Sequence, residues 1–206
     1  SEWPEVFETA RDIAERCDAE IPLQPTRIPP FPTEEGEDSV AMLRRIATGG
    51  LAASYGDPVP AQARRRLELE LGVIEATGFS DYFLIVWDFV KYAREEGVSI
   101  GPGRGSAAGS IVSFSLGITS IDPIEHDLLF ERFFNLNSES PPDIDIDLSV
   151  RGRDLVIQYL AEKYGSESVS QIATYGRIGP HRALTLASEG CGHGSDAGND
   201  LARMVP

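Results

Sequence analysis

The sequence predicts an α+β fold in which helices pack against a β-sheet. Helices are indicated by apolar residues that recur every three or four positions, most clearly in residues 60–77. Strands are indicated by strict alternation of aspartate with isoleucine or leucine in residues 142–148, and by short strand-forming runs in residues 98–100 and 169–174. With 206 residues, 41% of them hydrophobic, the chain is long enough to bury a substantial core.

The first part of the chain is expected to be helical scaffold. Residues 3–17 show an amphipathic helical pattern, whereas residues 21–38 contain five prolines and predict an extended connector. A second helix is expected to begin at residue 38 or 39 and to end at the Gly49-Gly50 pair. A third helix is predicted for residues 60–77.

The middle of the chain is less uniform. Residues 79–97 fit either a short buried strand or a helix, because an apolar run of this length satisfies both patterns. Further helices are predicted for residues 106–116 and 151–164, and Asp122-Pro123 is a typical start for another.

An acidic stretch in residues 142–148 is the first candidate functional site. In a strand, Asp143, Asp145 and Asp147 would share one face, with neighbours ~6.6–7 Å apart. Like charges in such a row repel one another unless water or a cation neutralises them, and Mg²⁺ prefers oxygen ligands of this kind. An acidic strand that simply faces solvent is the alternative interpretation.

A glycine-rich stretch in residues 98–110 is the second candidate site. Its glycines allow backbone N–H groups to approach a ligand closely, and Arg104 adds a permanent positive charge suited to phosphate oxygens. The spacing matches neither a Walker loop nor a Rossmann turn, and an ordinary turn is the alternative. Combined with the acidic stretch, it suggests a nucleotide, Mg²⁺ and phosphoryl or nucleotidyl transfer.

Three motifs together resemble a known family. Residues 101–106 (GPGRGS), 127–133 (DLLFERF) and 142–148 (PDIDIDL) occur in the order found in the palm of the C-family bacterial replicative polymerases, the DNA polymerase III alpha subunits. Further similar segments are residues 81–86, 117–119, 122–123 and 171–176. The resemblance implies a polymerase palm with a mixed, nucleotidyltransferase-like β-sheet in residues 1–174, and the beginning of a helical thumb in residues 175–206.

The resemblance also implies the metal chemistry. Asp143 and Asp145 match the family's catalytic, metal-binding aspartates, which hold two Mg²⁺ ions for transfer of a nucleotide to a primer 3′-hydroxyl. Asp147 would support the strand. The family is far longer than this chain and supplies a further aspartate and a phosphate-binding lysine beyond the thumb, so we expect the isolated chain to be inactive or nearly so.

The resemblance assigns a second set of residues to the incoming nucleotide and its phosphates. These residues are Tyr82, Arg104, Gly105, Ser106 and Arg132. Implied partners are primer-template DNA and a deoxynucleoside triphosphate (dNTP), with a sliding clamp and an exonuclease contacting other regions. Two other functions are open from the residues alone, namely a different metal-dependent transferase and a non-catalytic nucleotide- or phosphate-binding module.

Charge and composition limit these expectations. The formal net charge is −15, whereas surfaces that bind nucleic acid are usually basic. We therefore expect an uneven field, with acids such as Glu68 and Glu70 away from the site, arginines near the motifs, and most duplex-binding surface outside this chain. Two cysteines are too few for a disulfide framework, and no apolar run approaches the ~20 residues of a membrane span, which favours a cytoplasmic protein.

Overall fold

The computed structural model describes residues 4–18, 28–33, 36–138 and 140–205. The chain divides into two compact units, Ser1–Ser168 and Val169–Pro206. The assignment of residues 1–174 to a palm and of residues 175–206 to a thumb stays a prediction.

The first unit contains six α-helices in the part that the structure describes, and all of them except α1 contribute to one hydrophobic core or pack against it. The helices are α1 Pro4–Arg16, α2 Ser39–Tyr55, α3 Ala61–Thr77, α4 Ser80–Glu95, α5 Ile111–Ser115 and α6 Val150–Tyr164. Short 3₁₀ turns span Gly105–Gly109 and Phe130–Arg132. Helices α2 and α3 pack against each other and against α5, α4 packs against α2, and α6 packs against α4. Fully buried side chains that form this core include Leu43, Leu67, Ile74, Phe83, Ile111 and Phe130.

The predicted mixed β-sheet is wrong for the described part of the chain. Residues 98–100 and 142–148 are extended, but they meet only in an isolated antiparallel bridge between Ile100 and Leu148. Pairing ends after Gly101 because Gly103, the next residue in register, has a φ of +100°, and the Pro102 carbonyl oxygen accepts a hydrogen bond from the Ser120 N–H at 2.8 Å instead. The third predicted strand, residues 169–174, is irregular and almost wholly exposed. The alternation of residues 142–148 does place the apolar side chains on the inner face, since Ile144 and Ile146 pack against the core.

Helix α2 does not end at the predicted glycine pair. It continues through Gly49 and Gly50 to Tyr55, and Gly56 closes it with a φ of 76°. Gly50 lies where the backbone of Ser115 crosses the helix, and a Cβ there would be 2.8 Å from the Ser115 carbonyl carbon. Gly50 therefore serves helix packing, and neither glycine of the pair ends the helix. The start of α2 agrees with prediction, since Asp38 Oδ1 accepts a hydrogen bond from the Ala41 N–H at 2.7 Å.

The remaining predicted helices have mixed outcomes. Residues 61–77 form α3 as expected, and the ambiguous region 79–97 is helix α4. The single helix expected for residues 106–116 is wrong, because Ser110 has extended backbone angles that separate a 3₁₀ turn from α5. Asp122-Pro123 starts only a turn, in which Asp122 Oδ1 accepts a hydrogen bond from the Ile124 N–H at 2.8 Å.

The amino-terminal prediction is confirmed where the structure describes it. Helix α1 forms, but its apolar residues Val6, Phe7 and Ile13 are 54–69% exposed rather than packed in a core. Trp3 and much of the predicted connector, residues 21–27 and 34–35, lie outside the described residues. The described residues 28–33 are irregular, and the Phe31 N–H donates to Asp81 Oδ1 at 2.7 Å.

The second unit contains a helical hairpin formed by α7 Pro180–Gly190 and α8 Gly194–Ala202. The helices approach closely at Gly198, where a Cβ would be 2.6 Å from Thr185 Cα. Of the helices that the structure describes, none combines the length and apolar character that crossing a bilayer requires.

Candidate nucleotide and metal site

The glycine-rich segment and the acidic segment lie side by side. The Gly101 N–H donates to the Asp147 carbonyl oxygen at 2.9 Å, and the Ser149 N–H donates to the Ser99 carbonyl oxygen at 3.0 Å. A Cβ on Gly101 would be 3.1 Å from Asp147 Cβ, so glycine permits this close approach. Backbone hydrogen bonds between residues more than 40 positions apart thus hold the two segments together.

Arg104 lies over the acidic segment. Its Nη1 atom is 2.9 Å from Asp145 Oδ2, and its Nε atom is 3.1 Å from both carboxylate oxygens of Asp147. The hydrogen bond with Asp147, followed by the charges of Asp145, Asp147 and Asp143, raises the pKa of Arg104. The guanidinium therefore offsets part of the negative charge of the acidic row through Asp145 and Asp147, which are contacts that the sequence did not predict.

A cavity of about 500 Å³ opens beside Arg104. Its lining residues are Gly105, Ser106, Gly109, Asp127, Leu128, Leu129 and Arg132. Three of the residues predicted to contact nucleotide phosphates, Gly105, Ser106 and Arg132, thus share one cavity. Among the residues that the structure describes, no hydrogen bond or ion pair engages the Arg132 side chain, so its donors are available to an anion.

Gly105 connects this cavity to the acidic segment. It has a φ of +65°, in the left-handed region that side chains rarely adopt. A Cβ at this position would also be 3.1 Å from Asp145 Oδ2. The positive φ favours glycine at this position, and a side chain here would also crowd the Asp145 carboxylate. The same residue lines the cavity and touches a predicted metal ligand.

Tyr82, on α4, lies beside the other end of the acidic segment. Burial raises its pKa to about 12, with a smaller opposing effect from the Ile144 backbone N–H and a small upward effect from the Asp143 carboxylate. The hydroxyl therefore lies near Asp143 and Ile144. Its ring packs edge to face against Phe83, with ring centroids 6.0 Å apart.

The carboxylates fit Mg²⁺ only as a partial ligand set. In the described part of the chain, no three His, Cys, Asp or Glu side chains converge as a metal site. Mg²⁺ commonly uses one or two protein carboxylates together with waters and substrate phosphates. Asp143 is exposed and the Asp145 side chain is 35% exposed, so both can reach a ligand at the surface. This donor set suits an ion that is completed by a bound triphosphate.

Comparison with known proteins identifies the family. Residues 41–206 match the bacterial DNA polymerase III alpha NTPase domain. The chain belongs to the bacterial DNA polymerase III alpha family. It is 46% identical to the DNA polymerase III subunit alpha of Bacillus subtilis, over all of the chain and 18% of that relative.

Other members of the polymerase III alpha family give the same result. The subunit from Pseudomonas aeruginosa is 40% identical, over all of the chain and 18% of its own length. The subunit from Mycobacterium tuberculosis is 44% identical, over 89% of the chain and 16% of its own length. The chain therefore spans less than a fifth of these polymerase III alpha relatives.

One polar pair in this polymerase III alpha segment was not predicted from the sequence. Glu70 was expected to lie away from the site, but it is fully buried and its Oε2 atom accepts a hydrogen bond from Ser110 Oγ at 2.8 Å. Arg66 lies one turn earlier and pairs with Glu70 at 2.7 Å. The signal was present in the sequence, because Glu70 falls on the same helical stripe as Leu67, Leu71 and the other apolar residues of α3.

Proposed function

We propose that this chain is the first part of the palm of a template-directed DNA polymerase, and that its site binds the triphosphate of an incoming dNTP together with Mg²⁺. One observation carries the proposal. Gly105 lines the cavity that contains Ser106 and Arg132, and it also lies against the Asp145 carboxylate. A phosphate group in the cavity would therefore be adjacent to a metal-binding carboxylate, as two-metal nucleotidyl transfer requires.

In this proposal each side chain has a defined task. Asp143 and Asp145 would hold Mg²⁺, which supplies activation of a primer 3′-hydroxyl and neutralisation of the leaving pyrophosphate. The Ser106 hydroxyl would donate a hydrogen bond to a phosphate oxygen, and the positive charge of Arg132 would offset phosphate charge. Tyr82 would face the nucleotide from the Asp143 end of the segment.

Arg104 would change partners when the nucleotide binds. In the structure it is shared between Asp145 and Asp147 and is 56% exposed, so little packing holds it in place. Exposed ion pairs of this kind are weak and exchange readily with competing anions. A triphosphate in the neighbouring cavity would offer the guanidinium a more highly charged partner and would free Asp145 for the metal.

The proposed partners follow from the family. Primer-template DNA would be the substrate, and a sliding clamp and an exonuclease would contact regions outside these residues. The net charge of −15 makes this chain a poor duplex-binding surface by itself. We infer that the acidic and glycine-rich segments contribute chemistry, that other regions contribute most DNA affinity, and that the protein acts in the cytoplasm.

Primer extension by the whole protein tests this proposal. We expect Asp145→Asn to reduce nucleotide incorporation by at least about a thousandfold, because the substitution removes a metal-binding charge at the reacting phosphate. Asp154→Asn is the matched control, since Asp154 is an exposed aspartate on α6 outside the acidic segment. Incorporation by Asp145→Asn at the rate of the Asp154→Asn control would refute the catalytic assignment.

A further inference from the structure

We propose that Arg66 and Glu70 are positioning residues that hold together the two walls of the candidate phosphate cavity. One wall is the glycine-rich segment, represented by Gly105 and Gly109, and the other is the segment that leads from Leu128 to Arg132. This inference rests on the proposed function, because the cavity that the two residues would shape is the one proposed to accept a triphosphate.

Glu70 fixes the glycine-rich wall. Its carboxylate is fully buried and accepts hydrogen bonds from Ser110 Oγ at 2.8 Å and from the Val112 N–H at 3.1 Å. Ser110 Oγ also accepts a hydrogen bond from the Ser113 N–H at 3.1 Å, which begins helix α5. Burial raises the pKa of Glu70, while the donors around it act in the opposite direction. The end of the glycine-rich segment is therefore tied to α3 through one side chain.

Arg66 connects Glu70 and the glycine-rich wall to the opposite wall. Its Nε atom donates to Glu70 Oε1 at 2.7 Å, and its Nη2 atom donates to the Gly109 carbonyl oxygen at 2.9 Å and to the Leu128 carbonyl oxygen at 3.0 Å. One guanidinium thus binds a backbone carbonyl from each wall. The planar, rigid arrangement of donors in arginine suits this task, whereas the compact ammonium of lysine cannot span the same three acceptors.

The two walls are also in direct contact at this point. A Cβ on Gly109 would be 2.8 Å from the Leu129 carbonyl oxygen, so no side chain separates the segments. Arg132 is only four residues beyond Leu128, while Ser106 is three residues before Gly109. We call Arg66 and Glu70, with the hydrogen bonds that they make to the two walls, the clamp. The clamp therefore sets the spacing between the Ser106 hydroxyl and the Arg132 guanidinium, the two groups proposed to contact phosphate oxygens.

Arg66→Lys tests the clamp, with Arg44→Lys as the matched control. Arg44 also pairs with a glutamate of α3, Glu68, but this ion pair lies on the surface. Amide hydrogen exchange and the affinity for dATP with Mg²⁺ would be measured on both variants and on the unchanged chain. For Arg66→Lys we expect exchange about tenfold faster in residues 105–110 and 128–133, and affinity about tenfold weaker. We expect less than about a twofold change for Arg44→Lys.

The outcomes separate this inference from the proposed function. Exchange and affinity in Arg66→Lys equal to those of Arg44→Lys would overturn the clamp. Faster exchange confined to the two walls, with no dATP binding by the unchanged chain, would support the clamp and contradict the proposed triphosphate site. If Arg66→Lys does not fold, Glu70→Gln replaces it, because the amide keeps the shape and an acceptor for Ser110 while losing the charge that holds Arg66. The same local increase in exchange is then expected, and its absence would overturn the inference.

Discussion

Two adjacent glycines in α2 should respond in opposite ways to the same substitution. A Cβ on Gly49 would meet no atom within 4 Å, whereas a Cβ on Gly50 would overlap the Ser115 carbonyl group. Alanine removes the entropic penalty of glycine in a helix at either position, which is worth about 0.5–1 kcal/mol. At Gly50 this gain is opposed by displacement of the backbone of α5, and overpacking of this kind typically costs about 1–3 kcal/mol.

The free energy of unfolding, measured by urea denaturation and circular dichroism, distinguishes these effects. We expect Gly49→Ala to stabilise the chain by about 0.5–1 kcal/mol and Gly50→Ala to destabilise it by about 1–2 kcal/mol. Each substitution is the other's control, because the residue type, helix and solvent conditions are shared. Stabilisation of similar size by both variants would refute the packing of α2 on the Ser115 backbone.

Two further predictions concern polar groups that are partly buried. Because the pKa of Tyr82 is raised to about 12, the folded state retains a proton that the unfolded state loses above pH 10, so stability should fall between pH 10 and 12. The loss of unfolding free energy between pH 10 and 12 should be smaller in Tyr82→Phe by about 1–2 kcal/mol, and an identical loss in both proteins would contradict the burial of this hydroxyl. Lys163→Met should cost about 1–3 kcal/mol in urea denaturation because it leaves the buried Asp88 carboxylate, 2.6 Å from Lys163 Nζ, without its cation. Lys91→Met at an exposed pair should cost less than about 0.5 kcal/mol, and an equal loss in both variants would show that burial of Asp88 is unimportant.

Local patterns predicted the fold where one signal dominated. Residues 60–77 combine a long apolar stripe with a glycine stop, and they form α3 with Gly78 in the left-handed conformation. Residues 79–97 carry too continuous an apolar run to separate strand from helix, and packing on two sides of α4 explains why the run is apolar. The prediction that Gly49-Gly50 ends α2 was wrong because Gly50 is explained by the backbone of Ser115, which is distant in sequence.

The sheet could not be predicted because alternation specifies which side chains share a face and not whether a partner strand exists. Residues 142–148 place Ile144 and Ile146 against the core as expected, but pairing with the neighbouring segment ends after Gly101, because the backbone turns away at Gly103 with a φ of +100°. A ladder needs a row of donors and acceptors on both segments. The extended segment is therefore held by two backbone hydrogen bonds and by Arg104 instead of by a sheet.

The residue types of the candidate site could be predicted from the sequence, but only some of the contacts between them could. The glycine-rich and acidic motifs indicated a phosphate site beside carboxylates, and the structure brings Gly105 against Asp145. Sequence alone did not show that Arg104 spans the carboxylates, since ion pairs between distant segments depend on tertiary structure. Nor did it place Glu70 at the site, although a charged residue on an apolar helical stripe signals a buried partner.

Calorimetric titration of dATP with Mg²⁺ is a direct test of the proposal that Asp143 and Asp145 hold the metal at a triphosphate site. The unchanged chain would be compared with an Asp143→Asn/Asp145→Asn double variant and with Asp154→Asn, after circular dichroism shows that all three are folded. We expect Mg²⁺-dependent binding that is retained in Asp154→Asn and weakened at least about tenfold in the double variant, because the two carboxylates would hold the metal that joins the triphosphate to the site. Equal binding by all three proteins would separate phosphate binding from the acidic segment and contradict the proposed polymerase site.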